Sequence, residues 1–264
     1  MTHVTVTLPD GSSRSFSAGA PVRDVAEAIS PRLAKAALAA VVDDQLVDLS
    51  RPLTADARVR IVTADSPEAL GLLRHSTAHL LAAAVTNLYP TAQCGIGPAT
   101  DEGFFYDFVV PQAFVPEDLE RIEAKMRELA QQDLPYERQH WAREEAKDFF
   151  AGRGEPLKVQ LIDEKTVGQA EVSCYTIKDR ATFVDFCTGP HVPSTGKLKA
   201  FKLLTTSNAY WKGDAQNQPM QRVYGTAFRT EKDLAEHLTR LEEAKKRDHR
   251  KIGKDQKLFM FHPW

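Results

Sequence analysis

Arg74-His75-Ser76-Thr77-Ala78-His79-Leu80-Leu81 sets two histidines four positions apart in a run that stays apolar to Val85. At about 3.6 residues per turn, both imidazoles fall on one face of a helix, roughly one turn apart. The surrounding pattern reads as a long amphipathic helix ending near Tyr89-Pro90. Ser66 serves as its N-cap, Pro67 as its first helical residue, and Glu68 sits at the positive end of the dipole. A second pair with the same spacing lies far downstream in Asp185-Phe186-Cys187-Thr188-Gly189-Pro190-His191. Three imidazoles and a thiol can hydrogen-bond, move protons or ligate a metal. An isolated HxxxH is common on helices, where its histidines cap carbonyls or pack. The CxxxH inside a Gly-Pro turn is what makes a joint site the sharper reading.

Upstream of the helix, residues 3–17 alternate apolar and polar about Pro9-Asp10-Gly11, with Val4, Val6 and Leu8 before it and Phe16 after. That is a β-hairpin signature. Val22, Val25, Ala26 and Ile29 keep helical spacing and stop before Pro31. Short strands follow at Ala40-Val41-Val42, Leu46–Leu49 and Val59–Val62. Hairpin, helix and closing strand within residues 1–63 predict a β-grasp, ubiquitin-like domain.

Downstream, residues 64–228 mix turns, strands and helices. Gly103–Phe108 reads as a strand. Residues 116–132 carry Leu119, Ile122, Met126 and Leu129 on one stripe, a packing face with no chemistry assigned to it. Residues 142–150 predict a short helix closed by Gly152-Arg153-Gly154. Lys158–Ile162 reads as a strand with a lysine at its start. Residues 175–177 and 182–186 lead as strands into the Cys187 turn. Residues 201–204 and 209–211 precede Lys212-Gly213-Asp214, and 221–228 supplies a further strand. Thr230 then caps a charged helix, to about Lys251, whose end is strongly basic. The fold class expected is α+β: a β-grasp domain (1–63), an α+β domain (64–228) and a charged linker helix (229–264).

The 264 residues carry a net charge of −2 with a pI near 6.5, so a nucleic-acid partner has to be met by local patches. Three cysteines without framework spacing fit a reducing compartment. The N-terminus lacks the look of a signal peptide, and Leu80–Val85, the longest aliphatic run, is too short to span a bilayer. A cytoplasmic protein is the expectation.

HxxxH in a helix, Gly103-Phe104-Phe105-Tyr106-Asp107, Cys187-Thr188-Gly189-Pro190-His191, Ala209–Asp214, Arg222–Phe228 and Arg247–Gly253 together resemble the N-terminal half of bacterial threonyl-tRNA synthetases. The resemblance runs along essentially the whole chain. It implies a TGS domain where a β-grasp is read, then the editing domain shared in outline with alanyl-tRNA synthetases, then a linker toward a class II core. The chain stops at Phe259–Trp264, about where that core begins in the family. The resemblance therefore implies no aminoacylation by this polypeptide alone, with the remaining core as a partner if the chain is a fragment.

What the resemblance implies chemically is hydrolysis of seryl-tRNA(Thr). Serine lacks one methyl of threonine, and a single methyl discriminates by only ~1–3 kcal/mol, so a second pocket must reverse the test. The expected partners are tRNA(Thr) and its seryl 3′ end. His75 is the candidate to activate water or protonate the ribose oxygen. His79 and His191 shape the site, and Lys158 stabilises negative charge. Asp185 pairs with the seryl ammonium, Cys187 lines the pocket, and Tyr106 lines it as well. Tyr210, Trp211 and Lys212 are candidates for substrate contact, as are Lys197, Lys199 and Lys202 for RNA. From donor types alone, zinc suits the His/Cys set. The threonyl branch is similar to editing domains that work without metal, and a converging lysine would repel a dication. No metal and no cofactor are expected. Two rivals are an alanyl-type trans-editing deacylase and a non-catalytic tRNA-binding module.

Overall fold

The computed structural model describes residues 2–247. The basic stretch beyond Arg247, read from sequence as the end of the charged helix, and the terminal Phe259–Trp264 stretch lie outside the described residues.

Strands β1 (His3–Thr7) and β2 (Ser13–Ser17) form the hairpin around Pro9-Asp10-Gly11, where Gly11 adopts a φ of 84°. Helix α1 (Val22–Ile29) buries Val22, Val25 and Ala26, the i, i+3, i+4 set of the sequence pattern. Helix α2 (Pro31–Ala36) starts from Ser30, whose hydroxyl accepts from the Leu33 amide. Strands β3 (Ala39–Val42), β4 (Gln45–Val47) and β5 (Ala57–Val62) complete a sheet of order β2-β1-β5-β3-β4, in which only β1 and β5 run parallel. Val4, Val6, Val25, Ala26, Ala40 and Val59 close its core. This is a β-grasp domain, and an α+β region follows it.

Helix α3 (Ala69–Leu88) is the axis of that second region. One sheet has the order β11-β12-β7-β6, from β6 (Gln93–Cys94), β7 (Phe104–Val109), β11 (Ala200–Tyr210) and β12 (Pro219–Phe228). A second has the order β10-β9-β8, from β8 (Tyr136–Ala142), β9 (Glu171–Ile177) and β10 (Asp179–Phe186). Helix α3 packs on β7 and β12 from the first sheet, on β10 from the second, and on α4 (Pro116–Gln131). Enclosed on these sides, it buries every residue from Ser76 to Val85. The expected amphipathic pattern is therefore corrected: a helix apolar nearly all round is a core helix. Its start is also later than expected. Ser66 turns back to accept from the Thr63 amide, and regular helix begins at Ala69.

Lys158–Ile162 is helix, not strand. It lies inside α6 (Pro156–Lys165), which follows α5 (Arg143–Gly152). A short apolar run has no period that separates strand from buried helix, and Pro156 in the first turn was the signal to weigh. Strand β8 was not expected, since its mostly polar sequence conceals a full seven-residue pairing with β9. The two segments read at 201–204 and 209–211 are one strand, β11, with a register shift between Leu203 and Thr205. Thr230 caps α7 (Glu231–Lys246) as expected, accepting from the Asp233 amide.

Candidate active site

Helix α3 turns His75 and His79 toward the loop after β10 that carries Cys187 and His191. His75 Nε2 lies 3.2 Å from Cys187 Sγ across 112 residues of sequence, and Cys187 Sγ lies 3.6 Å from His191 Nε2. The His75 and His191 rings stack at 4.5 Å, and the His79 ring meets that of His191 at 4.4 Å and 63°. One donor atom from each of these four residues falls within 4.8 Å of the others. Such a set could hold a divalent cation with modest side-chain shifts, since zinc takes N and S donors at about 2.0–2.3 Å.

Beside this cluster is a buried charge. Lys158 reaches in from the first turn of α6. Its Nζ donates to the Gly95 carbonyl (2.6 Å) and to Tyr106 Oη (3.2 Å), and lies 2.5 Å from Asp185 Oδ1. Tyr106 Oη in turn donates to Asp185 Oδ2 at 2.6 Å. Burial alone would drive the proton off Lys158, but the Asp185 carboxylate at its side holds its pKa above the ordinary lysine value. An ammonium has three protons; two bond the Gly95 carbonyl and Tyr106 Oη, and the ion pair with Asp185 lies on the remaining side. The charge of Lys158 is also balanced by Asp185, so it repels a cation less than an isolated lysine would. That weakens one ground for expecting no metal.

Two buried atoms of the site have no hydrogen-bond partner among the described residues. One is His79 Nδ1, 3.8 Å from Asp185 Oδ2. The other is Asp185 Oδ1, whose contact with Lys158 is close but poorly aligned. Orphaned polar atoms at the base of a cluster are suited to a ligand's donors and acceptors. Burial lowers the pKa of His75, and drives those of His79 and His191 well below the ordinary value, helped by neighbouring cationic forms. The site imidazoles are neutral at neutral pH. Burial likewise pushes the Cys187 thiol up to about 12.

Several residues that hold the site escaped the sequence reading. Asp48, in the loop after β4 of the β-grasp domain, accepts from the His191 amide (2.9 Å) and from Tyr175 Oη (2.6 Å), with Arg138 at 3.7 Å. Tyr136, on the unexpected β8, stacks on the His191 ring at 5.0 Å and donates to the Ser76 carbonyl. A Cβ on Gly97 would run into the Tyr106 ring, and one on Gly189, already at φ 68°, into the Tyr175 hydroxyl. No local pattern marks Asp48: Val47-Asp48-Leu49 reads as any strand end.

Other candidates sit elsewhere. Trp211 is buried with Leu157 and Met220 and donates to Gln160 Oε1 at 2.8 Å, and Lys212 pairs with Glu164. Those partners share the Leu157, Gln160, Leu161, Glu164 face of α6. Lys158 leaves the helix about 100° round from Leu157. Tyr210 stays 42% exposed at the end of β11. Lys202 pairs with Glu123, and Lys197 donates to the Lys35 carbonyl across the seam between the two domains.

Residues 4–63 match the TGS domain family, and residues 172–224 match the threonyl and alanyl tRNA synthetase second additional domain. The β-grasp thus coincides with the TGS match, and Cys187, His191 and Asp185 fall within the match to that second additional domain. More particularly, the chain corresponds along its length to the N-terminal part of threonine–tRNA ligases. It is 53% identical over 262 residues to the threonine–tRNA ligase of Geobacter sp. (strain M21), covering 99% of this chain and 40% of that protein. The Methylococcus capsulatus (strain Bath) ligase is 54% identical over 254 residues, 96% of this chain and 39% of its own length. The Myxococcus xanthus (strain DK1622) ligase is 50% identical over 263 residues, 99% and 40%. The chain spans about two fifths of the length of these curated relatives. His75, His79 and Lys158 lie outside the matched segment of the second additional domain but inside the stretch shared with the ligases.

Proposed function

We propose that the cleft around His75, His79, Cys187 and His191 hydrolyses the ester of seryl-tRNA(Thr), removing serine attached in place of threonine. The observation that carries this reading is the meeting of four donor side chains within 4.8 Å, from a helix and a loop distant in sequence, next to a buried Lys158–Asp185–Tyr106 group. An ester to a ribose oxygen is labile. Placing one water, taking its proton and steadying the developing oxyanion is enough, with no covalent intermediate. His75, neutral and the least buried of the three histidines, takes the proton from the attacking water and returns it to the 3′ oxygen. Asp185 receives the seryl ammonium on Oδ1, which has room for a better-aligned donor than Lys158. Lys158, bonded to the Gly95 carbonyl and Tyr106 Oη and ion-paired with Asp185, holds these groups in place. The route uses no metal.

The test is deacylation of seryl-tRNA(Thr), with threonyl-tRNA(Thr) and seryl-tRNA(Ala) alongside, by the wild-type chain and His75→Ala. We expect hydrolysis of the first substrate only, lost in the variant while tRNA binding persists. Preference for seryl-tRNA(Ala) would support the alanyl-type reading, and binding without any hydrolysis a non-catalytic module.

A further inference from the structure

His191 is buried among Tyr136, Tyr175 and the other two histidines, and its Nδ1 faces a serine that lies between the two histidines of α3. Ser76 is fully buried. Its Oγ is 3.2 Å from His191 Nδ1 and 3.1 Å from the Val192 amide. A hydroxyl has one proton and two lone pairs, and an amide N–H only donates, so Val192 occupies a lone pair. The usual alternative for a helical hydroxyl is the carbonyl one turn back. Thr77 makes that bond to Leu73, whereas Ser76 makes none among the described residues. Its proton is left to point at His191 Nδ1.

We infer that Ser76 is a positioning residue whose hydroxyl donates to His191 Nδ1, fixing the ring in the tautomer that carries its proton on Nε2, aimed at the Cys187 sulfur. The ring is held against turning over by Tyr136 stacked at 5.0 Å and 10°, and by Tyr175 edge-on at 4.5 Å. The consequence runs along the cluster. Cys187 Sγ then faces two donors, His191 Nε2–H at 3.6 Å and the Gly189 amide at 3.2 Å. Among the described residues, the remaining polar neighbour of the thiol is His75 Nε2 at 3.2 Å, so the S–H points there and that nitrogen carries the lone pair. His75 is thereby kept as an acceptor on the side facing the cluster, and its own proton sits on Nδ1. Ser76, His191, Cys187 and His75 form one directed chain of hydrogen bonds set at its buried end by a serine. The catalytic meaning of this chain rests on the hydrolytic reading above; the tautomer does not.

Nitrogen-15 NMR of the histidine rings in the whole chain at neutral pH tests it, with His191 assigned by its loss in His191→Gln. The expected wild-type signature is a protonated Nε2 and a bare Nδ1 on His191. In Ser76→Ala the ring should move to a mixture of tautomers. Its kcat on seryl-tRNA(Thr) should fall about ten- to a hundredfold, part of the roughly 10²–10⁴-fold that a positioned acid–base group supplies, with KM little changed. A protonated Nδ1 in the wild type, or an unaltered ring in Ser76→Ala, would overturn the inference. If Ser76→Ala does not fold, the wild-type spectrum decides alone. A wild type that hydrolyses no seryl-tRNA sinks the hydrolytic reading and leaves the ring signals to judge Ser76.

Discussion

Lys158 and Asp185 form a buried pair, 2% and 3% exposed at the side chain, and removing one partner strands the other. Lys158→Ala should cost about 3–5 kcal/mol of stability, read as a lower midpoint in denaturant, while Lys158→Met/Asp185→Asn should recover much of it. A loss of hydrolysis in Lys158→Ala alone would thus not distinguish chemistry from folding, which is why His75→Ala is the cleaner variant. The thiol at Cys187, pushed up to about 12 by burial, holds almost no thiolate at neutral pH. Quenched single-turnover reactions examined by mass spectrometry should show no seryl thioester. Metal analysis after dialysis should find well under one zinc per chain with hydrolysis intact; one zinc per chain, lost together with activity, would reverse that. The histidines add a pH signature. His79 and His191 have folded pKa values well below the 6.5 they have when exposed, so the unfolded chain binds more protons below that pH. Stability from these groups is complete above about pH 6.5 and is lost as pH falls toward their folded values. The unfolding temperature should drop between pH 7 and 5, less steeply in His79→Gln.

At the scale of elements, α3 was legible from His75–His79 spacing and its apolar run, and the β-grasp from its hairpin and Val22–Ile29 periodicity. What could not be read was enclosure: Ser76 and the helix face around it are core because β7, β10, β12 and α4 surround them, and no local pattern records neighbours so far along the chain. Helix α6 was misread for a related reason. Five residues of mixed apolar character have no period, and the packing of Leu157 and Trp211 decides the matter. Cys187 stood out because it shares a Gly-Pro turn with His191, whereas Asp185 in β10 and Lys158 in α6 were singled out through the family resemblance; Asp48 and Tyr136 had neither signal. Asp48→Ala frees the His191 amide and the Tyr175 hydroxyl together, two buried bonds at about 1–3 kcal/mol for each group left unmatched. We expect hydrolysis to fall at least about tenfold while tRNA affinity holds, and Asp48→Asn, which keeps an acceptor, to fall less. Equal activity in Asp48→Ala and wild type would show that the β-grasp contact is idle.

For the whole molecule, net charge is small, yet cations gather along the seam between the domains. Lys197 donates to the Lys35 carbonyl. Partial burial, with Lys199, Arg23 and Lys35 nearby, pulls its pKa down against the opposing effect of Asp133. Leu198 is buried between the two lysines, with Lys197 half-buried and Lys199 exposed. This concentration of charge suits an RNA backbone. Lys197→Gln/Lys199→Gln should weaken tRNA binding at low salt and shrink the slope of log affinity against log salt by about one to two units, as loss of one or two phosphate contacts requires. Cleavage of a seryl ester on a bare adenosine should stay at the wild-type rate. No described helix is long and apolar enough to cross a membrane. The Asp48 carboxylate, lent by one lobe to the backbone of the other's His191, has a further meaning. Were the first lobe to tilt away under mild heat, the ring would come adrift while both lobes stayed folded. On the hydrolytic reading proposed above, such a protein would stop clearing serine before it lost its shape.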